Sequence, residues 1–456
     1  MSSKSTFLSE AVSFIWGPPL LILLLGGGLF FLIYSRFLPF RYLKHAINVL
    51  RGKYDSPDDP GEINHFEALS GALAATIGMG NISGVALAIA AGGPGALFWM
   101  WISAFIGMAT KFFTCTLSVL FRGKDSEGNL QGGPMYVIRE GMSKKWKGLA
   151  IFFCMAGFFG ATPVFQTNQM VDVLSEMALK PIGIERSIES NLIIGIFIAA
   201  IVAMVIIGGI KRIGNAASKL VPSMVLLFMV WVVLIMISHI DQIIPALKFV
   251  LSDAFTGNAM KGGVIGTVII EGSKRAAFSN EAGIGMAPMM HGAAKTKEPV
   301  REGLVAMLGP AIDTIIVCTL TGLAILVTGT WNMEVATNIS DDSKGVLMTM
   351  KAFESLPLGG IVLTICVIIF AITTIFGVAY YGEKCLSYLV GVKFGKYFRY
   401  WFVALVLLGS VASLTDVVNL VFVAYGLMAV PTMISSLVLA PRVMEAAKVY
   451  FKNVNR

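Results

Sequence analysis

Apolar residues run along this chain in long blocks, with short polar stretches between them. Many blocks reach the roughly 20 residues that a bilayer-spanning helix needs. They predict eleven helices, at approximately 16–36, 66–91, 95–121, 148–172, 190–210, 216–238, 262–290, 302–328, 359–381, 398–414 and 416–440. Pro18-Pro19 suits the start of the first of them. The stretch 122–147 is too polar to cross, and within it 134–142 fits a short surface helix, with Lys144, Lys145 and Lys147 toward anionic headgroups. Composition points the same way: 56% of the 456 residues are hydrophobic and 14% charged, against about 25% charged in soluble domains.

Charge then orients the spans. The net charge of +8 is spread through the short loops. Of the 35 Lys and Arg, 25 fall in one alternating set (36–53, 122–147, 211–219, 295–301, 384–399 and 442–456) and 7 in the other. By the positive-inside rule this puts the N-terminus outside and the C-terminus inside. Bases distributed between spans argue against a nucleic-acid surface. Cys115, Cys154, Cys318, Cys366 and Cys385 lie in or beside apolar blocks, without CxxC or metal-like spacing, and read as buried small hydrophobes. No cleavable signal peptide is expected, because the first block follows Glu10 and its basic cluster comes after it.

Two blocks carry interruptions. In AATIGMGNISG (74–84), apolar helix-forming runs flank Gly78-Met79-Gly80-Asn81. An unpaired backbone group in lipid costs several kcal/mol, roughly, so a break is tolerated only where protein buries it or it lines a wet cavity. There the amides opening the second half attract an anion, and the carbonyls closing the first half hold a cation. Close packing of small residues is the plainer account of two glycines. The second interrupted block, 262–290, weighs against it. It carries Glu271, Lys274, Arg275 and Glu281 well inside its length, two acids balancing two bases. Glu271 and Arg275 form an i,i+4 pair if helical, and Gly272, Ser273, Ser279, Asn280, Gly283, Gly285 and Pro288 disfavour a continuous rod. An ion cluster that fastens helices near the inner mouth is the alternative role for Lys274, Arg275 and Glu281.

The breaks fall in the second and seventh spans. After one leading helix, ten spans remain, five from each break, and an odd number per repeat inverts the second. The expected organisation is an extra helix and linker (1–60), two inverted five-helix repeats (61–250 and 251–440) and a cytoplasmic tail (441–456).

TIGMGNISGVALAIAAGGPGALFWMW and KRAAFSNEAGIGMAPMMHGAA resemble the two signature regions of the alanine or glycine:cation symporter family, and the likeness runs over nearly the whole chain. The resemblance implies a leucine-transporter type fold, all-α, with one helix ahead of a 5+5 repeat. It implies import of L-alanine, glycine and, in some members, D-alanine with Na⁺ as coupling ion. No organic cofactor or obligate protein partner is expected, and a prokaryotic cytoplasmic membrane is. By that likeness Met79 and Gly80, beside Gly78 and Asn81, supply amides to the substrate carboxylate, and the Thr76 carbonyl faces its ammonium. Sodium sits on the carbonyls of Ala74 and Ile77, the hydroxyls of Thr373 and Thr374 in IIFAITTIFG, and the Phe370 carbonyl. Asn81 matches a residue that holds a second cation in some relatives. Asp313 could join it there, bind a proton or pair with Lys111. No aromatic parallels the tyrosine that often lids this fold's substrate. FFGATPVFQTNQM offers Phe165, Gln166 and Gln169 instead, the glutamines for substrate or for fastening helices. Gly272 and Ser273 in the second break join the substrate set, and Phe278 or Phe165 would exclude larger side chains.

The competing reading on the same fold is a proton-coupled amino-acid symporter, with the proton on Asp313 or Glu271. A channel would show filter loops or pore rings. An intramembrane enzyme would show a nucleophile beside a base, and no Ser or Cys here has an obvious His partner.

Overall fold

A computed structural model describes residues 7–255, 265–331, 342–412 and 415–454. Among these, eight helices are long and apolar enough to cross a membrane, and a ninth is the bent pair His65–Thr76 and Gly80–Gly92. Ile265–Asn280 and Phe398–Val411 occupy the places of the predicted seventh and tenth spans, but at 16 and 14 residues they are short of a crossing by themselves. A two-stranded hairpin pairs Gly123–Lys124 with Leu130–Gln131.

Several boundaries move for identifiable reasons. The block at 148–172 is two helices, Lys147–Gly160 and Val164–Leu174. They part just before Pro163, which has no amide to continue the ladder. The first span extends back to Phe7, through a stretch that Glu10 and two serines make less apolar. Gly359–Val390 overruns its predicted end at 381 and carries Lys384 inward. Lys384 was expected in a basic loop; instead it is buried, and its ammonium donates to Tyr380 Oη (2.6 Å) and to the Met289 carbonyl (3.3 Å). Helix Thr415–Val454 likewise continues through most of the expected tail.

Two helices between spans were not foreseen, Ile240–Phe255 and Asp342–Phe353. At 16 and 12 residues they are too short for a spanning block. The first closes the end of Gly95–Leu120: Asp253 Oδ2 accepts from the Gly95 amide at 2.8 Å, satisfying a donor that helix initiation leaves free. Pro134–Gly141 is helical as expected but does not lie on a surface. Its residues from Pro134 to Ile138 are buried, packed against Lys147–Gly160 and Thr415–Val454.

The two interrupted segments are joined at one end. The strand-like stretch before His65 bridges the stretch after His291, with Glu62 N to Ala293 O at 2.8 Å and Lys295 N to Ile63 O at 2.7 Å. Arg122 grips the same junction through the carbonyls of Gly292 (2.8 Å), Thr296 (3.1 Å), Pro60 (3.2 Å) and Ala294. Beneath it Glu302, fully buried, bonds His291 Nδ1 at 2.5 Å with one oxygen and His65 Nδ1 with the other. Removing one member of such a set leaves the rest buried and unpaired, at a cost of about 3 kcal/mol or more. Glu302→Ala is therefore expected to lower the unfolding midpoint of the detergent-solubilised protein by several degrees, whereas His65→Gln, which keeps a polar partner for the carboxylate, lowers it less.

Candidate functional site

The first half-helix opens on a capping box: Asn64 Oδ1 accepts from the Glu67 amide (2.8 Å) and Glu67 returns a carboxylate to the Asn64 amide (2.9 Å). It closes at Ile77, which turns extended (φ −75°, ψ 97°). The chain resumes as Gly80–Gly92 at 59° to the first half. Across the break the Gly78 amide donates to Asn81 Oδ1 at 2.9 Å, so it does not continue the helical ladder back to Ala74. The Met79 amide has no acceptor among the described residues. Of the amides expected to be free at this break, that of Gly78 is taken by the Asn81 side chain and that of Met79 is left open among the described residues.

The second break is shifted from where the glycines suggested. Helix Ile265–Asn280 runs unbroken through Gly272 and Ser273, and the interruption spans 281–286, before Ala287–His291. Glu281 (φ +54°), Gly283 (+87°) and Gly285 (+107°) take left-handed backbone there, a conformation glycine adopts without steric cost. Gly272 and Ser273 instead pack on Gly95–Leu120. A Cβ on Gly272 would lie 2.6 Å from the Ala96 carbonyl oxygen, and Ser103 donates to Ser273 at 3.1 Å. No ion pair within 4 Å joins Glu271 to Arg275, although both lie on one helix as expected.

Asn81 ties the two breaks together. Its Nδ2 donates to Asp313 Oδ1 (2.7 Å) and to Ser279 Oγ (3.1 Å). The other Asp313 oxygen accepts from Ser279 (2.7 Å) and from Thr314 (2.7 Å), and Asn280 reaches Thr314 at 3.1 Å. Every side chain in this network is buried. The sequence paired Asn81 with Asp313 and the two do meet; of the alternatives for Asp313, no ion pair to Lys111 forms within 4 Å.

On the other side of the break, helix Gly359–Val390 presses against the end of the first half-helix. A Cβ on Gly377 would lie 2.6 Å from that of Ala75. The same approach places Thr374 Oγ1 3.5 Å from the Ile77 carbonyl. The Thr373 hydroxyl lies between the carbonyls of Ile369 (2.8 Å) and Phe370 (3.1 Å) of its own helix. Ala74, Ile77, Phe370, Thr373 and Thr374 are all buried. Carbonyl and hydroxyl oxygens suit a hard monovalent cation, and the end-of-helix carbonyls at Ile77 are oriented by the extended turn that freed them.

Past the break, beside Gly80, lies a small cavity of ≈ 20 Å³, room for about one water molecule. Phe165, Gln166 and Phe278 from the predicted set line it, and so do Arg275, Phe422 and Tyr425. Phe278 stacks on Phe422 (ring centroids 4.5 Å) with Tyr425 beyond (5.7 Å), an aromatic cover supplied by the last long helix, where a lid was not sought. Thr76 is buried at the break and Gln169 is buried in Val164–Leu174, but neither lines this cavity. Arg275, Phe422 and Tyr425 were missed as site residues. Arg275 was read as a partner of Glu271 or as one of an ion cluster with Lys274 and Glu281, and nothing in the sequence sets Phe422 and Tyr425 apart from other aromatics in apolar blocks. A larger cleft of ≈ 440 Å³ opens on the face of the basic loops, lined among others by Glu62, Asp125, Lys384 and Arg399.

Several membrane-spanning helices with two interrupted segments tied together by Asn81, Ser279 and Asp313 fit a multi-pass membrane transporter. The fold resembles the crystal structure of MhsT in complex with L-phenylalanine, a leucine-transporter type structure (TM-score 0.56, 14% identity, 83% of this chain and 89% of that one). The whole chain, residues 1–456, matches the sodium:alanine symporter family, and it belongs to that family. It is 41% identical to the sodium/alanine symporter AgcS of Methanococcus maripaludis over 96% of this chain and 95% of that protein. It is 32% identical to the probable sodium/glutamine symporter GlnT of Bacillus subtilis over 96% of this chain and 88% of that protein. The chain is thus an amino-acid symporter and not an enzyme.

Proposed function

We propose that this protein imports small neutral amino acids, L-alanine and glycine foremost and D-alanine in addition, together with sodium, by alternating access across a prokaryotic cytoplasmic membrane. The observation that carries the reading is the pair of breaks held face to face by Asn81, Ser279 and Asp313. In this reading eleven spans are arranged as one leading helix and two inverted five-span repeats, with the N-terminus outside. Ser279, Asn280 and the break at 281–286 stand opposite Gly78–Asn81, as the repeat relation requires. AgcS is named for alanine and GlnT for glutamine; in this reading side-chain size is set locally, with Phe165 and Phe278 narrowing the space beside Gly80.

Sodium bound by Ala74, Ile77, Phe370, Thr373 and Thr374 would draw the end of the first half-helix onto Gly359–Val390 and so shape the break for substrate. The substrate carboxylate would then take the Met79 and Gly80 amides, with its ammonium toward the Thr76 carbonyl. In this reading the cleft on the basic-loop face is the inner exit. A second cation at Asn81 and Asp313 would link both breaks to the ion gradient. The proton-coupled alternative is favoured by one observation, the complete burial of Asp313.

Uptake of radiolabelled L-alanine into proteoliposomes separates the two. We expect accumulation under an inward sodium gradient and none under an inward proton gradient alone. Accumulation driven only by protons would leave the fold and transfer the coupling to Asp313 or Glu271.

A further inference from the structure

The leading span ends at Tyr34, and the chain turns at once, with Arg36 (φ +53°) and Phe37 (φ +58°) in left-handed backbone. Two short helices follow, Leu38–Arg41 and Leu43–Leu50, ahead of the first broken segment. Together they form a strap that is tied down on one side. Phe40 stacks on Phe105 (ring centroids 4.2 Å) and Tyr42 on Phe451 (3.7 Å). His45 Nε2 meets Tyr450 Oη at 2.7 Å. Ala46 and Val49 are fully buried, where Leu43–Leu50 packs on Pro299–Ala306.

The other side of the strap is both apolar and basic. At 3.6 residues per turn, Leu43, Ile47, Arg51 and Lys44 share one sector of about 100°, and all four are exposed. Leu43 is 41% exposed and Ile47 38%. The stretch 36–53 holds five bases and no acid, and among the described residues none of these bases makes an ion pair within 4 Å. Water is a poor surround for this face, because the apolar pair loses the burial that would stabilise it. Unpaired bases alone would suit any polyanion. Bases and large apolar side chains on one helical face, starting where a span leaves the bilayer, suit the headgroup region of an anionic leaflet. There the apolar side chains enter the acyl boundary while the long basic side chains reach out to phosphates.

We propose that the strap is a lipid-binding surface, with Leu43 and Ile47 immersed in the inner leaflet and Arg41, Lys44 and Arg51 on the headgroups of acidic phospholipids. The surface is separate from the transport site and takes from the proposed function only the orientation of the spans. Its buried side rests on Pro299–Ala306, which carries Glu302, and on Thr415–Val454 through Tyr42 and His45. Lipid bound to the exposed side therefore clamps the strap between the membrane and these helices, and it stabilises the folded protein by binding that form alone.

Two measurements on the full-length protein test this. The first reads depth. All five cysteines are buried, so a nitroxide attached to Ile47→Cys reports on that position. In vesicles of phosphatidylcholine and phosphatidylglycerol we expect the label to be more accessible to oxygen than to a water-soluble nickel chelate. The reverse order would place the strap in water and overturn the proposal. The second reads headgroup selectivity, as the unfolding midpoint of the detergent-solubilised protein titrated with phosphatidylglycerol or phosphatidylcholine. A base beside an anionic surface contributes about fivefold in affinity, so combining Arg41→Gln, Lys44→Gln and Arg51→Gln should raise the phosphatidylglycerol concentration for half-maximal stabilisation at least about tenfold. The response to phosphatidylcholine should not change. Replacing Lys144, Lys145 and Lys147 by Gln, in another exposed basic stretch, should leave the wild-type value. An equal response of the wild type to the two lipids, or a loss of selectivity in the second triple variant and not in the first, would overturn the lipid-binding surface. Should the first triple variant not fold, the labelled Ile47→Cys protein still decides, and neither readout depends on which solute is transported.

Discussion

Replacing Thr373 and Thr374 together by Val is expected to raise the sodium concentration for half-maximal alanine uptake by at least about tenfold, with little loss of stability. Val preserves the branched shape, so packing of Gly359–Val390 against the first half-helix is retained. What is lost is two hydroxyl oxygens. Thr374 Oγ1 stands 3.5 Å from the Ile77 carbonyl, where an oxygen from the long helix meets the broken end of the other. A polar ligand to a charged partner is worth about 1.5–3 kcal/mol, a factor of ten or more. The Thr373 hydroxyl already bonds carbonyls of its own helix, a common arrangement for Thr in membrane helices, so the single Thr374→Val change should account for most of the shift. Thr374→Ser, which keeps the oxygen, should restore most of it. A sodium titration of uptake by the four proteins decides the matter: identical half-saturation in all of them would place the cation elsewhere.

Asp313→Leu is expected to be the most damaging single change in the membrane interior. Asn81, Ser279 and Thr314 all donate to this carboxylate. An apolar side chain would leave three buried donors unpaired, at about 1–3 kcal/mol each. Such a loss is comparable to the stability of an ordinary domain, and poor yield or aggregation after extraction is the expected outcome. Asp313→Asn separates structure from coupling. It keeps the shape and one carbonyl oxygen for Asn81, so the unfolding midpoint should fall only modestly. It removes the negative charge, so sodium-driven alanine uptake should fall at least tenfold. Uptake by a folded Asp313→Asn protein at the wild-type rate would show that the network only fastens the two breaks.

The spans were legible because membrane burial is a local property. A run of about twenty apolar residues has few alternatives, and nearly every predicted block is helical. The bend at 77–79 was legible for the same reason, since two glycines and an asparagine inside such a run conflict with their surroundings. The helix ends were less so. Pro163 splits a block that reads as continuous, and Lys384 reads as a loop residue although Tyr380 and Met289 hold it inside. The second break was read from a spread of Gly, Ser, Asn and Pro over 272–288, whereas the backbone turns only at 281–286. Gly272 and Ser273 serve close packing against Ala96 and Ser103, which periodicity cannot tell from a kink.

Taken alone, the order of residues determined that this chain crosses a membrane many times and that two of its segments are interrupted. These follow from backbone chemistry and from what lipid tolerates, both felt residue by residue. Tertiary structure decided which of the freed groups meet. Asn81 finds Asp313 across 232 positions of sequence and His65 finds Glu302 across 237, and Arg275 shares a cavity with Gln166 rather than an ion pair with Glu271. Helix-forming patterns are satisfied by many packings of the same helices. The requirement that every buried donor and acceptor find a partner selects among them, and it acts only once the helices are side by side.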